Sequence, residues 1–211
     1  MRLIAAFLRL FFRLLYHQFA WAYDLIASIV SLGHWKDWER SALPWLDGRV
    51  LELGFGPGHL QVSLHEAGLS AFGLDESRQM SHLTSRRLRR KGFQTNLIRG
   101  CAEYLPFPAN TFTTVVATFP SEYIFNAITL AQIQDVLVPG GKLVIVPTAW
   151  ITGNGLLERL AAWLFKVTGQ AGAIDLVITN VEKRLQSSGF HVQHKIQELK
   201  GSKVLVIIAT K

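Results

Sequence analysis

The sequence predicts an α/β domain built on an open, mostly parallel β-sheet with helices on both faces. Short apolar runs of strand length recur along the chain and alternate with segments of helical spacing. The apolar run at residues 49–53 passes directly into a glycine-rich loop and then into a predicted helix, as in a βαβ unit. A chain of 211 residues can form one such domain with a full core and an additional N-terminal segment.

The glycine-rich loop has the pattern Glu52-x-Gly54-x-Gly56-x-Gly58. Glycines let the backbone turn sharply and let a ligand approach it closely, because no Cβ intervenes. A dinucleotide-binding loop would need glycine at position 59, where this chain has His59. The loop therefore indicates a different ligand site at the carboxyl edge of the sheet, with a glycine-rich turn that binds nothing as the alternative.

Asp75 ends the second predicted strand, at residues 71–75. A carboxylate at the tip of the strand next to the glycine loop can accept hydrogen bonds from both hydroxyls of a ribose. Glu52 and the three loop glycines, together with Asp75, resemble motifs I and II of the class I S-adenosylmethionine-dependent methyltransferases. The resemblance implies a Rossmann-like sheet of seven strands, mostly parallel with an antiparallel last strand, and S-adenosylmethionine as the cofactor.

Two later segments also resemble these methyltransferases. Residues 100–108 match the family segment D-A-E-x-L-P-F, which packs against the adenine, although Cys101 replaces the usual Asp or Asn. Residues 137–145 match the family pattern L-x-P-G-G-x-L-V-I. By resemblance, the predicted cofactor-binding residues are Glu52, Gly54, Phe55, Gly56, Gly58, Asp75, Glu76, Cys101, Ala102, Glu103 and Phe119.

The remaining elements of the domain follow from hydrophobic periodicity and from Gly, Pro and capping residues. The predicted strands beyond the first two cover residues 95–99, 112–118, 142–147, 191–197 and 204–209. The predicted helices cover residues 59–67, 77–91, 126–138, 156–167 and 174–188. Pro139-Gly140-Gly141 predicts a tight turn, and the last two strands predict a hairpin around residues 200–202.

Residues 3–32 are almost entirely apolar but carry Arg9, Arg13 and Asp24. The uncharged windows are shorter than the roughly 20 apolar residues that a spanning helix needs. Most polar side chains of this segment fall on one helical stripe, which favours an amphipathic helix lying in a membrane surface. A signal peptide, a transmembrane anchor and a helix buried against protein are the alternatives. We therefore divide the chain into an N-terminal cap, residues 1–40, and a methyltransferase domain, residues 41–211.

Residues 16–24 resemble the aromatic entry helix of ubiquinone/menaquinone C-methyltransferases and bacterial phospholipid N-methyltransferases. This resemblance implies that Tyr16 and Tyr23 face the reacting centre, with ordinary packing as the alternative. Glu122 follows the fourth predicted strand, where this fold places substrate-facing residues, and is our candidate acid or base. Its alternative role is that of a carboxylate at a helix start. The seven histidines have no metal-ligand spacing, and no metal is predicted.

The chain has a net charge of +7, a hydrophobic content of 49% and a mean hydropathy of +0.23. This balance favours an anionic partner, and the basic run at residues 86–91 indicates either a solvated helix end or a phosphate or headgroup site. Nucleic acid is disfavoured, because aromatic residues are not interleaved with the basic ones. A single cysteine, Cys101, excludes an internal disulfide and fits a reducing compartment.

The sequence thus predicts a methyltransferase acting on an amphiphilic acceptor, such as a phospholipid amine or a quinone precursor. We expect it to be cytoplasmic and peripheral at the inner face of the membrane, with its oligomeric state left open. One alternative is methylation of a soluble small molecule, with the apolar helices forming a lid or a dimer seam. Another is a non-catalytic cofactor-binding or membrane-scaffold protein.

Overall fold

The computed structural model describes residues 31–152 and 174–211 of the chain. The apolar N-terminal segment up to residue 30, with Tyr16 and Tyr23, lies outside the described residues. The predicted helix at residues 156–167 lies outside them as well. Within the described part, no helix combines the length and the apolar character needed to cross a membrane.

The described residues form one sheet of seven strands in the order β3-β2-β1-β4-β5-β7-β6. Only β7 runs antiparallel to its neighbours, β5 and β6, whereas β1 to β5 pair in parallel. The predicted fold class is thereby confirmed. The strands are β1 Arg49–Leu53, β2 Ser70–Asp75, β3 Leu97–Arg99, β4 Phe112–Thr118, β5 Leu137–Ile151, β6 His191–Leu199 and β7 Ser202–Thr210.

The helices connect the strands and agree closely with the predicted segments. Ser77 caps the helix after β2, because its Oγ accepts a hydrogen bond of 3.3 Å from the Met80 backbone N–H. Asn126 caps the helix after β4 in the same way, with its Oδ1 3.0 Å from the Ile128 nitrogen. The described helices are α1 Trp35–Arg40, α2 His59–Glu66, α3 Arg78–Arg90, α4 Ala127–Val136 and α5 Ile174–Ser187, with single 3₁₀ turns at Leu43–Trp45 and Glu122–Phe125.

Two hydrophobic cores lie on opposite faces of the sheet, because successive strand side chains point to opposite faces. Leu51 and its alternate neighbours face the core that includes α4 and the described part of α5. Val50 faces the other core, with α1 and α2. Burial on both faces explains why the central strands are almost continuously apolar rather than alternating.

Helix α1 belongs to the second core. The Trp38 side chain is 2% exposed, and its Nε1 donates a 2.9 Å hydrogen bond to Ser202 Oγ at the start of β7. The Trp35 and Trp38 rings both lie against Phe119. The two tryptophans therefore pack within the domain, and the described end of the predicted cap is part of the domain's core.

The structure corrects the prediction at Pro139-Gly140-Gly141. These residues do not form a turn before a strand, since β5 runs without interruption from Leu137 to Ile151. Leu137 pairs with Phe112, and the register to β4 shifts by a bulge before Lys142 pairs with Thr114. At its other end β5 is lengthened by pairing with β7. Strand β3 is shorter than predicted and starts at Leu97.

Candidate active site

The glycine loop turns between β1 and α2 with Gly54 and Gly58 at positive φ, +70° and +79°. L side chains rarely adopt this conformation. A Cβ on Gly54 would lie 2.7 Å from Tyr123 Oη, and a Cβ on Gly58 would overlap the Thr84 side chain. Glycine is therefore required at both positions by the backbone and by the surrounding atoms. The loop is held further by Thr84 Oγ1, which donates a 2.7 Å hydrogen bond to the Gly56 carbonyl.

Asp75 joins the tip of β2 to this loop. Its Oδ2 accepts a 2.9 Å hydrogen bond from the Gly56 N–H, and its Oδ1 accepts one of 2.8 Å from the Ser77 N–H. Burial raises the pKa of the Asp75 carboxyl, and the hydrogen bonds from Ser77 and Gly56 partly offset this effect. Each carboxylate oxygen has a further lone pair, so Asp75 can accept two ligand hydroxyls in addition to these backbone bonds.

A cavity of about 500 Å³ opens beside Asp75 at the carboxyl edge of the sheet. Its size lies within the usual range of small-molecule sites, about 300–1,000 Å³. It lies at the ends of β1 and β4. Strands β2 and β3 lie on one side of β1 and β4 lies on the other, so the strand order reverses here, which is the usual ligand position in open α/β sheets. The wall consists of Gly54, Leu74, Asp75, Glu76, Ser77, Gly100, Cys101, Ala102, Glu103, Thr118, Phe119, Pro120, Ser121 and Tyr123.

Most of the predicted cofactor-binding residues lie in this wall, which brings together the ends of β1, β2, β3 and β4. Cys101 is exposed and Ala102 is buried, so the thiol is accessible from the cavity side while the alanine packs into the core. The predicted residues in the wall are Gly54, Asp75, Glu76, Cys101, Ala102, Glu103 and Phe119.

Glu52, Phe55, Gly56 and Gly58 are not among the wall residues, and their role in cofactor binding stays a prediction. Phe55 is 3% exposed and packs with Met80 in a small core beneath the loop. Gly56 and Gly58 shape the loop through their backbone conformation and through the Gly56 N–H. Glu52 and Phe55 are thus buried behind the loop, whereas Gly56 and Gly58 form part of it.

The Glu52 carboxyl is buried behind the loop and accepts a 2.8 Å hydrogen bond from Gln61 Nε2 on α2. Burial raises its pKa well above the ordinary value of 4.5, and the Gln61 hydrogen bond acts in the opposite direction. The neighbouring carboxyls Glu39 and Asp75 raise it further. The Glu52–Gln61 hydrogen bond therefore connects β1 to α2 behind the glycine loop.

Of the predicted catalytic candidates, Tyr16 and Tyr23 lie outside the described residues, and only Glu122 can be placed. Glu122 is exposed at the start of its 3₁₀ turn and is not in the wall, so its acid–base role stays a prediction. The next residue, Tyr123, lies in the wall, and its Oη donates a 3.1 Å hydrogen bond to the Leu53 carbonyl. Sequence reasoning missed Tyr123, because only the fold shows which residue after β4 turns toward the glycine loop.

These features fit S-adenosylmethionine. Asp75 supplies acceptors for paired hydroxyls, and Gly54 leaves open the space that a Cβ would occupy between the loop and Tyr123. The segment after β3 supplies Ala102 and Cys101 on the opposite wall. Within residues 31–152 and 174–211, no three His, Cys, Asp or Glu side chains are grouped as metal ligands.

Comparison with known proteins agrees with this geometry. Residues 50–141 match a family model described as a methyltransferase domain. The chain is 29% identical over 170 residues to a ubiquinone/menaquinone biosynthesis C-methyltransferase of Blochmanniella floridana, covering 75% of this chain and 66% of the relative. It is 31% identical over 150 residues to a demethylmenaquinone methyltransferase of Anoxybacillus flavithermus, covering 67% of this chain and 63% of the relative. The chain thus spans somewhat less than two thirds of the length of these relatives.

Solved structures show the same fold. A putative S-adenosylmethionine-dependent methyltransferase of Methanococcus maripaludis superposes with a TM-score of 0.60 at 17% identity, covering 88% of this chain and 85% of that one. The YcgJ protein of Bacillus subtilis superposes with a TM-score of 0.60 at 13% identity, covering 83% of this chain and 98% of that one. At such low identity the similarity extends to the fold alone.

Proposed function

We propose that this chain, which has the fold and the methyltransferase domain of the class I S-adenosylmethionine-dependent methyltransferases, methylates a carbon atom of a quinone precursor. The observation that carries the donor half of this proposal is the Asp75 carboxylate, bonded to the glycine loop and lying in the wall of a cavity of about 500 Å³. The acceptor half is supported by the two relatives near 30% identity, whose names state quinone methylation.

S-adenosylmethionine supplies an electrophilic methyl group on a sulfonium centre. The chain's own contribution is orientation and exclusion of water, since a displacement of this kind depends on alignment of the reacting atoms. Asp75 would hold the ribose hydroxyls, while Gly54 allows the loop backbone to approach the donor. Residues 101–103 would bind the adenine. Phe119 and Tyr123 line the same cavity and would restrict solvent access.

We propose further that the protein works at the cytoplasmic surface of a membrane, where quinone precursors with long apolar tails reside. The apolar residues 3–32 and the net charge of +7 support this proposal. Flotation of the full chain with vesicles of phosphatidylcholine, with and without phosphatidylglycerol, tests it. Association with the anionic vesicles supports the proposal, and a protein that stays in the soluble fraction contradicts it.

The donor half is tested by calorimetric titration with S-adenosylmethionine. We expect Asp75→Asn to bind about 10- to 100-fold more weakly, because hydrogen bonds to a charged group contribute about 1.5–3 kcal/mol. Asp135→Asn is the matched control, since it makes the same chemical change on an exposed face of α4. Circular dichroism checks that both variants fold. Unchanged affinity in a folded Asp75→Asn protein would contradict the assigned donor site.

The acceptor half is tested with methyl-labelled donor and vesicles that carry both demethylmenaquinone and phosphatidylethanolamine. Mass spectrometry then locates the label. A labelled quinone ring carbon supports the proposal. A labelled phospholipid amine would replace it with phospholipid N-methylation, and a label on neither lipid despite donor binding would point to another acceptor.

A further inference from the structure

A second cavity, of about 610 Å³, lies between α1, α2 and α3 on the face of the sheet that bears the second core. We call it the basic cleft. It is separate from the donor cavity and shares none of its wall residues. Its wall consists of Gly33, Trp35, Lys36, Arg40, His59, Val62, Ser63, Glu66, Arg87 and Lys91.

The basic cleft carries four basic side chains and one carboxylate, that of Glu66. Lys91 Nζ lies 2.8 Å from Glu66 Oε1, and Arg40 Nη2 lies 3.3 Å from Glu66 Oε2. Among the residues of the cleft wall, basic side chains therefore outnumber carboxylates. Lys36 forms no ion pair with any described acidic residue.

Arg87 connects the cleft wall to the glycine loop. Its guanidinium donates a hydrogen bond to the Pro57 carbonyl in the glycine loop and lies 3.2 Å from the His59 ring nitrogens. On the other side, the Trp35 ring lies 4.5 Å from the ring of Phe119, which lines the donor cavity. This ring contact therefore joins one wall residue of the basic cleft to one wall residue of the donor cavity.

The positive surface continues beyond the cleft along α3. Arg86, Arg89 and Arg90 are exposed in the last two turns of this helix, next to Arg87 and Lys91 in the sequence. Planar guanidinium groups bind phosphate oxygens in pairs, and lysines add point charges. A surface of this extent matches an array of phosphates better than it matches one small anion. A base-stacking platform is absent from the cleft wall as described, since the Trp35 ring is packed against Phe119.

We propose that the basic cleft binds the phosphate groups of anionic phospholipid headgroups and thereby holds the donor cavity at the membrane. This inference rests on the proposed membrane-surface methyltransferase and names its lipid-binding residues. The cleft and the exposed arginines of α3 supply the attraction. The contact between Trp35 of the cleft and Phe119 of the donor cavity places the lipid surface near the cavity from which an amphiphilic acceptor would be methylated.

The test compares two charge-matched double variants of the full chain. Lys36→Gln with Lys91→Gln removes two positive charges from the cleft, and Lys183→Gln with Lys195→Gln removes two exposed charges from α5 and β6. Binding to phosphatidylcholine vesicles with and without phosphatidylglycerol is measured by flotation at physiological salt. The preference for anionic vesicles is the ratio of the two partition coefficients, which removes any contribution from apolar insertion.

We expect the cleft variant to lose this preference about 30-fold, because each basic residue near an anionic surface contributes a factor of about five. The control variant should change it by no more than about twofold, since charges beyond a Debye length of about 8 Å are screened. Equal losses in both variants, or no loss in either, would overturn the proposal. The proposal would also be overturned if the cleft variant lost binding of inorganic pyrophosphate or RNA while its preference for anionic vesicles did not change.

Donor affinity of the same variants separates the two levels of the proposal. If the cleft variant binds S-adenosylmethionine as the native protein does but keeps its vesicle preference, the lipid assignment of the cleft fails alone. If the native protein binds no donor, the proposed function fails, whatever the vesicles show. A third variant, Lys36→Arg with Lys91→Arg, keeps the charges and should keep the preference, which distinguishes charge from local packing.

Discussion

Replacement of Gly54 by alanine tests the geometry of the glycine loop most directly. At φ +70° an alanine pays the cost of the left-handed conformation, about 1–2 kcal/mol. Its Cβ would also lie 2.7 Å from Tyr123 Oη, so the tyrosine has to move and give up its 3.1 Å hydrogen bond to the Leu53 carbonyl. A hydrogen bond of this kind contributes about 1 kcal/mol. We therefore expect Gly54→Ala to lower the free energy of unfolding by about 2–3 kcal/mol.

Gly68→Ala is a matched control, because Gly68 has a similar φ of +74° but open space within 4 Å of the added Cβ. It should cost only the conformational term, about 1–2 kcal/mol. Tyr123→Phe removes Oη, and the next ring atom lies 3.7 Å from the Cβ on Gly54, an ordinary contact. Gly54→Ala should then cost no more than Gly68→Ala when it is made in the Tyr123→Phe background.

The assay is urea denaturation with linear extrapolation, made for the single and double variants at one pH. Titration with S-adenosylmethionine adds a second readout, because Gly54 lies in the wall of the donor cavity and Gly68 does not. The reasoning is refuted if Gly54→Ala and Gly68→Ala have equal costs and Tyr123→Phe changes neither. It is refuted for the donor site if Gly54→Ala binds donor as tightly as Gly68→Ala.

Three further predictions follow from the described contacts. Cys101 is exposed in the donor-cavity wall and is the chain's single cysteine, so S-adenosylhomocysteine should slow its reaction with a maleimide. Equal reaction rates with and without S-adenosylhomocysteine in the native protein would contradict the site. So would protection in the Asp75→Asn variant equal to that in the native protein. Trp38→Phe and Ser202→Ala each leave a buried hydrogen-bonding partner unpaired and should each lower the free energy of unfolding by about 1–3 kcal/mol, as measured by urea denaturation. Additive losses in the double variant would exclude coupling between the two side chains. Because the pKa of Glu52 is raised, the stability that this carboxyl contributes is complete below its ordinary value of 4.5 and is lost as the pH rises through the folded-state pKa. Glu52→Gln should therefore flatten the dependence of the free energy of unfolding on pH. Parallel curves for the native protein and the variant would contradict this.

Local sequence patterns predicted the central strands well, because burial on both faces requires a continuous apolar run. The predicted bounds of β1, Arg49–Leu53, and of β4, Phe112–Thr118, agree with the structure. The prediction failed at β5, where Pro139-Gly140-Gly141 has strong turn propensity. Leu137 already pairs with Phe112 of β4, so these residues form a bulge between that pair and the pair of Lys142 with Thr114. Such pairing depends on residues far away in the sequence and leaves no local pattern.

In the candidate site, too, some residues follow from local sequence patterns and others depend on distant parts of the chain. Asp75 and Gly54 could be identified because each occupies a fixed place relative to its own strand, namely the last residue of β2 and the first residue after β1. Glu52 and Phe55 lie close to these positions, but Glu52 is bonded to Gln61 and Phe55 packs against Met80, so neither lies in the cavity wall. Membership of a loop motif therefore predicts the backbone path and does not decide which side chains face the ligand.

Tyr123 illustrates what topology adds to the sequence. The chain builds β1, β2 and β3 outward in one direction and then returns to place β4 on the other side of β1. The register Glu52 to Val116 brings the residues after β4 level with the glycine loop. This arrangement lets the hydroxyl of Tyr123 reach the carbonyl of Leu53, 70 positions earlier in the chain. Because the donor cavity is formed where the strand order reverses, any residue that closes it from the β4 side is specified by strand order and register, and a Tyr123→Phe variant measures that long-range contribution separately from the local glycine motif.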